Sequence, residues 1–87
     1  MMGMRAYLLI KAKCESPTEL TDLINRLRNM NGVLLADTAS GTVDVVAIAE
    51  ASDIDGLKGV AAQIREENSS VKRIEISITT VPLAAGG

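Results

Sequence analysis

The feature that most constrains this 87-residue chain is an internal echo. Leu20, Leu23, Ile24 and Leu27 recur, 37 positions later, as Leu57, Val60, Ala61 and Ile64. Each set falls at i, i+3, i+4 and i+7, the spacing that puts four apolar side chains on one stripe of a helix. Ser16-Pro17-Thr18-Glu19 opens the first helix: a hydroxyl N-cap, a proline at the first helical position and a glutamate placed to complete a capping box. Glu19 and Asp22 come early and Arg26 and Arg28 late, the order the helix dipole favours. Asn31-Gly32 supplies the residue that tolerates positive φ beyond its end. Ser52-Asp53-Ile54-Asp55 opens the second helix with a hydroxyl cap and early acids. Gly56 and Gly59 weaken that helix by roughly 1 kcal/mol each relative to alanine; they are either tolerated or mark close packing on a sheet.

The segments around the helices read as strands. Residues 4–13 are rich in Leu and Ile. Residues 33–39 and 42–51 flank Ser40-Gly41, a tight-turn pair, and are expected to form a hairpin. Residues 71–81 make a fourth strand with Ile74, Ile76 and Ile78 on one face. The order is βαββαβ, a split pair of βαβ units. Right-handed crossovers place both helices on one face of a four-stranded antiparallel sheet. The expected fold is an α+β, ferredoxin-like plait, one domain over residues 1–87 with a frayed tail at 84–87. Its first and third strands are central and its second and fourth are edges.

Strand parity exposes a problem for a monomer. The fourth strand is one-sided: its isoleucines alternate with Arg73, Glu75, Ser77 and Thr79. The central strands are apolar on both sides. Leu8 and Ile10 oppose Tyr7 and Leu9; Val43, Val45 and Ala47 oppose Val46 and Ile48. Two helices cover one face, so the other is left as an apolar patch that a second copy of the chain would cover most economically. The expected dimer interface is Tyr7 and Leu9 with Val43, Val45 and Ala47, although either row of each strand can lie under the helices.

Composition removes whole classes of chemistry. Net charge is −2 with nine basic and eleven acidic residues, so there is no excess of cation to replace phosphate counterions, and direct nucleic-acid binding is not expected. Histidine is absent, which removes the usual general base and the commonest transition-metal ligand. Cys14 is the single cysteine; it allows no internal disulfide, has no histidine to activate it and reads as inert. Tyr7 is the single aromatic residue, too few for a stacking platform. No catalytic residue, metal ligand set or cofactor motif is identified. The apolar run at 6–10 stops at Lys11, far short of a signal-peptide core or membrane span, and a reducing cytoplasm suits a lone thiol.

Two polar features remain. Arg65, Glu66, Glu67, Lys72 and Arg73 read as a solvated face. Gly41-Thr42-Val43-Asp44 is sharper: an acid two residues inside an apolar strand needs backbone N–H groups, a base or a ligand amine. It is either a structural aspartate bonded to the turn or one wall of a small-molecule pocket near a subunit boundary.

The βαββαβ order, the helix ending in Asn31-Gly32-Val33, and Gly41-Thr42-Val43-Asp44 followed by Val45-Val46 together resemble the effector-binding (RAM) domain of Lrp/AsnC transcriptional regulators. The resemblance covers roughly residues 4–83. Val43 stands where the family usually has an aromatic residue, and Ile74 and Ile76 stand where hydroxyl residues are frequent. The resemblance implies a stand-alone RAM module without the helix-turn-helix domain. It implies dimers joined through the sheet faces, and further assembly, often to an octameric ring. It also implies a small effector, commonly an amino acid, held between dimers, with contacts at Gly41, Thr42 and Asp44 and across residues 72–76, including Lys72, Ile74 and Ile76. The implied role is accessory to transcription regulation, through a full-length Lrp/AsnC partner or by buffering an effector. A ligand-free assembly adaptor is the alternative, and a small dimeric plait enzyme a more distant one.

Overall fold

The helix boundaries follow from side-chain caps. In the computed structural model, which describes residues 3–78, the first helix, α1, runs Pro17–Arg28. Ser16 is its N-cap, with Oγ accepting from the Glu19 N–H at 3.2 Å. The Glu19 carboxylate reaches back to the Glu15 N–H at 2.6 Å, one residue before the cap, so the capping box closes over a slightly longer span. α2 runs Ile54–Glu67. Its N-cap is Asp53 rather than the expected Ser52: Asp53 Oδ1 accepts from the Gly56 N–H at 2.7 Å, and a carboxylate also complements the positive helix end. α1 ends at Arg28, short of Gly32, which takes φ +88°. Gly56 is there for close packing, since a Cβ would lie 2.8 Å from the Ala51 Cβ, whereas Gly59 faces open space.

Four strands complete the chain: β1 (Met4–Ala12), β2 (Val33–Thr38), β3 (Val45–Ala51) and β4 (Val71–Ile78). The sheet order is β2-β3-β1-β4, antiparallel throughout, so β1 and β3 are central as the crossover rule requires. The expected end of the fourth strand at Val81 and the tail at 84–87 lie outside the described residues. No helix among the described residues is long and apolar enough to cross a membrane.

Register decides which side each residue takes. Ile10 lies opposite Val45, Leu8 opposite Ala47 and Ala6 opposite Ala49, and directly opposed residues share a face. All six are buried, in one cluster with Leu23, Ile24, Leu27, Leu57 and Ile64 from the helices. This corrects the expected interface: Val45 and Ala47 are fully buried beneath the helices. The β3 residues on the open face are Val46 and Ile48, opposite Leu9 and Tyr7. Val43 is not in the strand at all. β3 starts at Val45: the preceding residue, Asp44, keeps its carbonyl on the β2 side, where the Ala39 N–H donates to it, but turns its own N–H to the Ile10 carbonyl of β1.

Two bulges shape the edges. Val33 and Leu35 oppose Ala49 and Ile48, leaving Leu34 as the extra residue. Lys11 and Ala12 oppose Arg73 and Val71, leaving Lys72 as the extra one on β4. Asn68, 3% exposed, joins the two helices: its Nδ2 donates to the Ile64 carbonyl and its Oδ1 accepts from Arg26 Nε, both at 2.9 Å. A buried amide so paired costs little, whereas one left unpaired would be expensive.

Candidate functional site

The Gly41–Asp44 segment folds as a connection stitched to the end of β1. The Ala39 N–H donates to the Asp44 carbonyl at 2.9 Å, and the Asp44 N–H donates to the Ile10 carbonyl at 2.9 Å. Asp44 Oδ2 accepts from the Ala12 N–H at 2.9 Å, and Lys11 Nζ donates to the Thr42 carbonyl at 3.2 Å. The carboxylate therefore stands in for a missing strand partner beside the Lys11–Ala12 register shift. The structural reading of Asp44 is the one this geometry satisfies directly.

The rest of the connection is open. Gly41 takes φ +122° with nothing within 4 Å of where a Cβ would be, a conformation that a side chain disfavours. Among the described residues the N–H groups of Gly41, Thr42 and Val43 donate to no protein acceptor, and Asp44 Oδ1 accepts nothing. Three successive free donors and a free carboxylate oxygen on one connection leave partners open for an anion and for a cation.

The second half of the expected site is not brought to the first. β1 stands between β3 and β4, so the Gly41–Asp44 connection and the start of β4 lie on opposite flanks of β1. Ile74 and Ile76 oppose Ile10 and Leu8 and pack against the core. Their side chains lie on the helix side of the sheet, packed against the core rather than beside Gly41 of the same chain. Lys72 is exposed at the bulge, its Nζ 3.4 Å from the Ser69 carbonyl.

Lys72 instead borders a groove of about 500 Å³ between α1 and the α2–β4 link, lined also by Lys13, Glu19, Asp22, Arg26 and Glu67. None of these six forms an ion pair with another. Sequence reading missed this groove because Glu19 and Asp22 read as ordinary dipole-favoured acids early in a helix, and Glu67 and Lys72 as part of a solvated face. The one signal was charge of both signs at two chain positions that the plait topology brings to the same end of the sheet.

Cys14 is half-buried in the core's margin. Burial pushes its thiol above its ordinary pKa, and the Glu19 carboxylate pushes the same way. A hydrogen bond with Ser70 opposes both. A thiol held protonated is a poor nucleophile. Of the charge set at Arg65, Glu66, Glu67, Lys72 and Arg73, every member is exposed, and Glu67 accepts from Gln63 Nε2 at 2.7 Å.

The open face of the sheet is the other candidate surface. Leu9 sits opposite Val46 and Tyr7 opposite Ile48, all half-buried. Leu35, 52% exposed, extends the row on β2. Charge surrounds this centre: the Arg5–Glu50 ion pair at 2.9 Å at one end, Lys11 and Arg73 at the other, and Asp37 and Glu75 at the sides.

No protein-family model matches the sequence, and no curated protein matches it either. Solved structures do. A protein from Thermus thermophilus superposes with a TM-score of 0.77 at 20% identity, over 91% of this chain and 95% of that one. An AsnC family transcriptional regulator from Agrobacterium tumefaciens superposes with a TM-score of 0.81 at 12% identity, over 92% of this chain and 52% of its own. A transcriptional regulator from Neisseria meningitidis, in complex with L-Met, gives 0.76 at 14% identity, over 92% of this chain and 51% of its own. The chain therefore has the ferredoxin-like βαββαβ fold found in regulators of the Lrp/AsnC type, and it spans about half the length of those regulators.

Proposed function

We propose that this chain is an Lrp/AsnC-type effector-sensing module that assembles through its open sheet face and holds a small amino-acid-like molecule at the Gly41–Asp44 connection. The observation that carries the reading is the run of unpartnered N–H groups at Gly41, Thr42 and Val43 beside the unused Asp44 Oδ1. A carboxylate suits the donors and an ammonium suits the oxygen. Asp44 serves twice in this scheme: Oδ2 fixes the connection to β1, and Oδ1 faces the ligand. The remaining contacts come from the start of β4, including Lys72, in a neighbouring subunit, because β1 separates the two segments within one chain. The likeness to a regulator in complex with L-Met supports this ligand class. The open face, apolar at its centre and charged at its rim, has the anatomy of an interface, and its occupant is a second copy. The role is accessory to transcription, alone as an effector buffer or joined to a full-length regulator, and it is not enzymatic.

Calorimetry with the twenty amino acids tests the effector claim. Heat with at least one, lost in Thr42→Pro (which removes a donor), supports it. No heat with any, from folded protein whose assembly is intact, overturns it. One observation favours a second reading, a ligand-free adaptor: the bond from the Ala12 N–H already accounts for Asp44. An adaptor keeps the same sedimentation with and without every amino acid.

A further inference from the structure

The two edges of the sheet are finished differently. β4 presents Lys72, Arg73 and Glu75, all exposed. β2 presents Leu34 and Leu35, 51% and 52% exposed. An edge strand bearing adjacent exposed leucines is a template on which another chain can pair.

On β2, however, two of the outward backbone groups are taken, one acceptor and one donor. The Ala39 N–H bonds the Asp44 carbonyl, and the same register pairs Asp37 with Val46, Thr38 with Val45 and Ala36 with Ala47. In an antiparallel ladder, alternate residues turn both backbone groups toward the partner and the residues between turn them away. Ala39 and Asp37 therefore face β3, while Ala36 and Thr38 present theirs to the free edge. A side chain occupies one group on each of these two residues. Arg28 Nε, from the last turn of α1, donates to the Ala36 carbonyl at 2.9 Å. Asp37 Oδ1 accepts from the Thr38 N–H at 2.8 Å. The bulge at Leu34 breaks the ladder just before them.

We infer that Arg28 and Asp37 hold the β2 edge closed, so that the β2 of a second copy of this chain cannot pair with it despite the exposed leucines. This does not depend on the effector reading or on association through the open face; it concerns a different surface.

The test is the double variant Arg28→Met/Asp37→Ala, which keeps the aliphatic stem of residue 28 and removes both side-chain bonds. It is compared by sedimentation velocity and thioflavin fluorescence with the wild type across a concentration series. The expected result is loss of the wild-type boundary in favour of larger species with a thioflavin signal, and its return when Leu34→Lys is added. A wild-type boundary in the double variant overturns the inference. So does equal assembly by Ile64→Val, a core change that lowers stability without touching the edge. Should the double variant fail to fold, Asp37→Ala alone is read by the same measurements and the same criteria.

Discussion

The two faces of the sheet are built from neighbouring residues of the same strands and meet different surroundings. Ala6, Leu8, Ile10, Val45, Ala47 and Ala49 lie beneath the helices, each no more than 1% exposed. Tyr7, Leu9, Val46 and Ile48 alternate with them and are only half-buried. Apolar content does not separate the two sets. Size does: the covered row includes the small residues Ala6, Ala47 and Ala49, which admit the helix leucines and isoleucines, while the open row is bulky and ringed by charge. A close-packed layer needs small residues to interdigitate with large ones. A row of large residues with a charged rim is shaped to meet a surface that comes from elsewhere.

Three variants break or sharpen this comparison. Leu8→Ala, on the covered face, lowers stability by about 2–5 kcal/mol, read as a fall in the urea midpoint that is the same at every protein concentration. Leu9→Ala matches it only where a second copy covers the open face, and its midpoint then depends on concentration; a cost independent of concentration erases the distinction between the faces. Val46→Glu, at the centre of the open face, converts any assembly to folded 9.2 kDa particles in sedimentation, with its helical circular dichroism retained. A wild type that already sediments as such particles removes the case for a covered open face.

Asp44→Ala costs about 1–3 kcal/mol by leaving the Ala12 N–H unpaired, with Asp44→Asn recovering part of the loss. Faster hydrogen exchange at Ala12 locates the effect. The smallest effect concerns Cys14. Its raised folded pKa gives stability that is full below the unfolded thiol's pKa, about 8.5, and is lost as pH climbs through the folded value. Iodoacetamide labelling at neutral pH is therefore slower than for the unfolded chain, and labelling at equal rates refutes the raised pKa.

Much of this molecule was legible in its sequence because its signals are local. The i, i+3, i+4 stripes, Ser16 and Pro17, and the isoleucine alternation of β4 each report on a few adjacent residues, and the topology follows from crossover handedness. The helix cap at Asp53 instead of Ser52 was a contest between two adjacent candidates, decided by charge. The misplacement of Val45 and Ala47 was different in kind. Periodicity of two fixes which residues share a face but says nothing about which face meets the helices. The candidate site was half legible. Gly41 and Asp44 announce a special turn, but Ile74 and Ile76 are assigned to it by resemblance alone, and register packs them against the core.

The sequence by itself determined the βαββαβ order, the amphipathic helices and the two-sided apolar centre of the sheet, because helix and strand periods are properties of neighbouring residues. Only the tertiary structure decided that Ala12 takes the Asp44 carboxylate, that Arg28 caps the Ala36 carbonyl, and that Lys72 bulges into a charged groove. The first of those contacts joins residues 32 positions apart. All of them depend on register and bulges, which no local pattern encodes, since a single-residue slip carries every side chain to the opposite face.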